Sequence, residues 1–178
     1  MPALQPKAGH FGLILPLCTS SATVGLALLQ YPMFNSFLTP THPSIAGRPL
    51  SKYWEPLMTQ GVAVVALAPI TSTIAGLLSA RWLHTHATLE TTDVSRWYTI
   101  GAALAAGHFA FVPFVGPLIK GMVERGRQLD EESEDIVERK NRKDMKSWFF
   151  WHTVRTLVVD VPALWCFAEG VALSFWVI

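Results

Sequence analysis

Apolar residues fall along this chain in four long runs, at 11–30, 61–80, 98–119 and 148–178. Each reaches the length of about 20 residues that a helix needs to cross the hydrocarbon of a bilayer. Within lipid, backbone polar groups must be satisfied inside each segment, so such runs are expected as helices. The pattern therefore predicts an all-α, four-helix transmembrane bundle forming one integral membrane domain. The first three runs carry no formal charge. The fourth departs from the rest, because it contains His152, Arg155, Asp160 and Glu169. The first run is too long for a signal peptide, lacks a basic flank and is followed by Gln30-Tyr31-Pro32, so it is expected to remain as a span.

The connections differ in kind. Residues 32–56 hold five prolines (Pro32, Pro40, Pro43, Pro49 and Pro56), which predicts an irregular connection. Residues 124–146 read as a charged helix extending the third span, with Asp135/Arg139 and Glu138/Arg142 at i,i+4, acid first.

Composition sharpens this picture. Hydrophobic residues make up 51% of the chain and charged residues 15%, against about 25% charged in soluble domains. Sixteen of the 27 charged side chains lie within 120–146, eight of each sign. That distribution argues against a soluble enzyme. A net charge of +1 with interleaved acids argues against a nucleic-acid partner. The two cysteines, Cys18 and Cys166, form no C-x-x-C, so a disulfide framework, a zinc ribbon and a thiol redox pair are not expected. Both are read as small buried apolar residues. Lys and Arg set the orientation. Lys7, Arg81 and Arg96 flank one side, against ten basic residues in the 31–60 and 120–147 segments. Those two segments are expected in the cytosol and both termini on the other side, in the endoplasmic reticulum or another endomembrane.

Ionisable residues inside spans are costly and default to functional candidates. At about 1.5 Å per residue, Asp160 lies roughly 18 Å beyond Trp148, near the midplane, and His108 is equally central in its own run. Trp148, Trp151 and Trp176 are expected at the interfaces. Thr71-Ser72-Thr73 fall at a similar depth. Pro162 cannot donate to the carbonyl of Val158, which leaves an acceptor beside Asp160. A second layer holds Gln30, Tyr31 and Gln60, with His152 and Arg155 one turn apart on one helix face. Arg155 is also placed to snorkel to the headgroups. Gly101, Ala102, Ala103, Ala105, Ala106 and Gly107 make the third span smooth enough for close helix contact or for a flat ligand. Phe109, Phe111 and Phe114 are candidate aromatic walls.

The run Trp54…Gly61…Pro69, the pair Trp97-Tyr98 followed by small residues and Val112-Pro113-Phe114, and the last-helix pattern Trp148-x-x-x-His152-x-x-Arg155…Asp160-x-Pro162 carry a resemblance over most of the chain. In these the chain resembles the fungal anthrone oxygenases, small four-span membrane proteins of aromatic polyketide pathways. The resemblance implies oxidation of an anthrone to an anthraquinone by O₂, for example emodin anthrone to emodin, with O₂ as co-substrate and no cofactor. The implied partners are a flat aromatic small molecule and membrane lipid, with a homo-oligomer left open. The chemistry needs a base, an anion stabiliser and a dry pocket. His108 is one candidate base, oriented by Asp160 if the two pair. In the favoured alternative, His152 is the base and Arg155 holds the enolate oxygen. Tyr31, Gln30 and Gln60 are candidates to bond the substrate's phenols and carbonyl, and Phe114 to line its ring.

Two other classes compete. A metal enzyme would use His108, His152 and Asp160. However, His152 and Asp160 stand about 12 Å apart along one helix, so no metal is expected. A non-catalytic four-span scaffold would dock through the charged 124–146 segment. A coupled transporter is weakest, because no internal repeat is visible.

Overall fold

A computed structural model of the chain describes residues 8–39, 45–86, 91–127 and 132–177, with side chains over 11–39, 45–86, 93–127 and 132–174. Lys7, Pro40, Pro43 and the side chain of Trp176 lie outside these described residues. The fold is all-α. Its helices are α1 (Ala8–Asn35), α2 (Gly47–His86), α3 (Thr91–Gly107), α4 (Val112–Arg127), α5 (Glu134–Arg155) and α6 (Val161–Val177). Short turns of 3₁₀ helix follow α1 and join α3 to α4, and a π turn joins α5 to α6. The result is four continuous helical runs, Phe11–Leu38, Gly47–His86, Asp93–Arg127 and Glu134–Ser174, each long and apolar enough to cross a membrane.

Three expectations need correction. Residues 32–56 are mostly helical: Pro32 lies inside α1, Pro49 in the first turn of α2, and Pro56 well inside α2. A first-turn proline forfeits no hydrogen bond, and neighbouring helices let membrane helices absorb an interior one. The charged segment does not form one extension of the third run. It splits between the end of α4 and the first half of α5. Glu138 and Arg142 do meet, at 3.6 Å. Cys18 is exposed and only Cys166 is buried.

The chain divides into two compact units. The first takes residues from 1–24, 67–108 and 157–178. Its core gathers Leu13, Leu83, Tyr98, Ala102, Ala105, Ala163, Phe167 and Val171. Phe167 is fully buried. A Cβ added at either Gly76 or Gly101 would stand 2.8 Å from its Cε1, so α2 and α3 use glycine where the ring presses on their backbones. Ala102 and Ala105 of the small-residue stripe belong to this core. In lipid, helix association relies on such close packing and on interhelical hydrogen bonds. The hydroxyls supply the latter: Tyr98 donates to the Leu13 carbonyl (3.0 Å), Ser79 to that of Gly12 (3.2 Å) and Ser95 to that of Ala80 (3.0 Å).

The second unit takes residues 25–66 and 109–156. Its core is aromatic and thioether-rich, with Phe34, Leu50, Trp54, Met122, Met145 and Trp148. A polar clamp fastens the start of α2. Asn141, fully buried, donates to the Gly47 carbonyl (2.7 Å) and the Ser51 hydroxyl (2.9 Å), and its amide oxygen accepts from Arg125 Nε (2.7 Å). Arg125 in turn pairs with Asp144. Glu134 caps α2 by accepting from the Arg48 backbone N–H (2.7 Å) and from its guanidinium (2.7 Å). An acid at a helix N-terminus is favoured by the unpaired N–H groups there. The Arg48 backbone N–H, and then its guanidinium, hold the Glu134 carboxyl below the ordinary carboxylate value. Gly47, at φ +59°, occupies the left-handed region, and the Glu134 carboxylate fills the space a side chain would need.

Candidate functional site

Among the described residues, buried ionisable side chains cluster in each unit. In the first unit His108 and Asp160 are joined by a 2.9 Å hydrogen bond from ring Nδ1 to Oδ1. Both are nearly sealed, at 5% and 3% exposure. Their backbones share a local cause. His108 begins the 3₁₀ turn His108–Phe111, and Asp160 ends the π turn Thr156–Asp160. In each case a proline stands second in the α-helix that follows, Pro113 in α4 and Pro162 in α6. A proline there has no N–H for the carbonyl four residues back, and the preceding turn tightens or widens in response.

With the carboxylate as acceptor, Nδ1 carries the proton and the ring's lone pair stands at Nε2. That is the arrangement of a histidine base oriented by an acid. The Thr-Ser-Thr run, expected at a similar depth, is mostly self-satisfied. Thr71 and Thr73 donate to the carbonyls of Leu67 and Pro69, and Ser72 lies 2.7 Å from the Thr19 hydroxyl.

In the second unit His152 is 1% exposed and Arg155 8%. Arg155 is therefore enclosed by protein. Its terminal nitrogen lies 3.0 Å from His152 Nδ1, and His152 Nε2 lies 3.1 Å from the Ala27 carbonyl. Trp148 stacks on the imidazole with centroids 4.6 Å apart and planes 10° apart. Trp148, expected as a marker of the interface, is 5% exposed and packs in the core. Tyr31 reaches this cluster, its ring 5.0 Å from His152 and its hydroxyl donating to Thr153 (2.8 Å).

The remaining candidates stand apart from these bonds. Gln30 is half-buried on α1 and Gln60 exposed on α2, and neither makes a side-chain hydrogen bond among the described residues. Phe114 is half-exposed and stacks on Trp151 (4.5 Å, 27°). Sequence reasoning did not find the Ala27 carbonyl, a backbone group with no side-chain signature, nor the stacking role of Trp148. Among the described residues no three His, Cys, Asp or Glu side chains converge as a metal-binding set.

The chain is similar to two fungal proteins over nearly its whole length. One, named Epoxidase pydX, from an Acremonium species, is 28% identical over 164 residues, covering 88% of this chain and 90% of that protein. The other, named Probable epoxidase scpX, from Mollisia scopiformis, is 24% identical over 154 residues, covering 86% and 89%. No family model matches the chain, and no solved structure matches it.

Proposed function

We propose that this protein is a membrane-embedded oxygenase of fungal secondary metabolism, and that its substrate is an anthrone. Similarity to two proteins named as epoxidases supports the oxygenase class. The buried His108–Asp160 hydrogen bond carries the mechanism. An anthrone is a flat, poorly soluble carbon acid that partitions into a bilayer. His108 Nε2 takes one proton from its doubly benzylic CH₂, and Asp160 steadies the imidazolium that forms. The resulting enolate is electron-rich enough to give electrons to O₂. A carbon–oxygen bond forms, and the peroxide, protonated, loses water as its O–O bond breaks. The second hydrogen of that carbon leaves in this step. One anthrone and one O₂ become one anthraquinone and one water, with all four electrons drawn from the substrate and no cofactor required.

The names of the relatives favour a second reading, epoxidation of an alkene. That reaction keeps one oxygen atom and reduces the other to water, so it needs two electrons from a reductant. Oxygen uptake and quinone absorbance in membranes carrying the protein separate the two. With emodin anthrone and no added reductant, quinone should form at about one O₂ per anthrone, faster than in empty membranes, and the excess should survive chelator. No excess over autoxidation would sink the anthrone assignment. An oxidation of an alkene substrate that runs only with reductant would install the epoxidase reading instead.

We also place both termini on the non-cytosolic side of an endomembrane, on the excess of Lys and Arg in the 31–60 and 120–147 segments. A glycan acceptor sequence added at the C-terminus should be glycosylated in the endoplasmic reticulum. Glycosylation of the same sequence inserted into 128–131 instead would invert the topology.

A further inference from the structure

Most basic side chains of the second unit answer an acid. Arg48, Lys120, Arg125, Arg127, Lys140 and Arg142 are each in an ion pair with Asp or Glu. Arg155 is enclosed beside His152. The others are exposed and, among the described residues, in no ion pair: Lys52 on α2, and Arg139, Lys143 and Lys146 on α5. Lys52 stands in the field of the Glu134 carboxylate.

The three on α5 are not scattered. Spacings of four and then three residues put Arg139, Lys143 and Lys146 on one face of the helix, and four residues more bring the same face to Phe150. The Phe150 ring is 60% exposed. The opposite face holds the buried Val137, Asn141, Met145 and Trp148. Asp135, exposed on the cationic face, makes no ion pair with Arg139 among the described residues. It stands one turn beyond Arg139, at the end away from the apolar residues.

At about 1.5 Å per residue, Lys146 and Lys143 stand roughly 6 and 10 Å from Phe150 along the axis. Lipid headgroups occupy about 5–7 Å on each side of the hydrocarbon. Side chains of a helix lean toward its N-terminus, here away from the apolar run that begins at Trp148. Both ammonium groups are thus carried outward from the level of Phe150. Arg139 lies a turn further out and acts on the same layer through its field, which reaches about 8–10 Å in salt.

We infer that this face of α5 is a docking surface for an anionic phospholipid, with the headgroup at Lys143 and Lys146 and an acyl chain along Phe150. A lipid is charged at one end and apolar at the other, in the order in which the stripe presents its residues. An acidic protein segment would match the cations alone. Anionic lipids also concentrate in the cytosolic leaflet, the side on which we place the start of α5. The inference does not draw on the oxygenase reading.

The test counts lipids bound to the purified full chain in mild detergent by native mass spectrometry, with phosphatidylserine and phosphatidylcholine offered in equal amounts. Phosphatidylserine should be retained about fivefold over phosphatidylcholine, the preference that one basic residue near a lipid surface confers. Lys143→Gln with Lys146→Gln should bring the two lipids close to parity. Lys52→Gln removes one charge from an exposed position off the stripe and should change nothing. All three positions are exposed, so the substitutions leave the packing intact. Equal retention of the two lipids by the unmodified protein would overturn the inference. So would a preference that survives the double substitution, or one that falls as far with Lys52→Gln. Binding of a polyglutamate peptide that the double substitution abolishes, with no lipid preference, would assign the stripe to an acidic protein and overturn it as well.

Discussion

His108→Gln is expected to lower anthrone-dependent oxygen uptake by about 100- to 10,000-fold, the range that a positioned general base contributes. Glutamine keeps the bulk and a hydrogen-bonding end to meet Asp160 but has no basic lone pair. Asp160→Asn should act nearly as strongly for a different reason. The asparagine NH₂ donates to His108 Nδ1, so the ring proton moves to Nε2 and the basic site turns away from the substrate. The pair bond in question is the 2.9 Å contact between two side chains exposed by 5% and 3%. Oxygen electrode traces on both variants, with thermal unfolding in detergent to verify the fold, make the test. A well-folded His108→Gln protein that oxidises anthrone at the original rate would remove His108 from the chemistry.

The largest effect on stability is expected at Gly101. Gly76 and Gly101 face the Phe167 ring, and at each a Cβ would come within 2.8 Å of Cε1. The ring is fully buried and so cannot swing aside. Gly101→Leu should cost about 2–3 kcal/mol, within the usual range for overpacking a close-packed interior. For a protein of this size that is a drop of roughly 5–10 °C in Tm. Gly61→Leu is the matched control, because nothing lies within 4 Å of a Cβ there. Equal unfolding temperatures for the two variants would mean that the glycine contact at Gly101 does not limit packing.

The four long apolar helical runs were legible because stretches of about 20 apolar residues have few other solutions. Helix ends were not. Pro49 and Pro56 read as breakers, yet a first-turn proline loses nothing and a membrane helix tolerates one further in. Depth arithmetic placed His108 and Asp160 at one level, and the structure shows them bonded. The same arithmetic could not tell that Trp148 packs in the core, since it tracks distance along an axis and not direction around it. The tautomer of His152 depends on the Ala27 carbonyl, which no side-chain pattern announces. Gln30 and Gln60 were chosen by level alone, and their neighbours do not draw them into either cluster.

The last helical run changes its hydrogen-bond register in the π turn Thr156–Asp160, yet its enclosed positions keep one rhythm. Counted at about 3.6 residues per turn, buried Asn141, Met145, Trp148 and His152 before the turn, and buried Ala163, Cys166, Phe167 and Ser174 after it, fall on one side of a helical wheel. Exposed Leu157, Val158, Val161 and Trp165 fall on the other. Spacing along the sequence therefore remains a usable guide to which side chains of this run a substitution would disturb, on both sides of the turn.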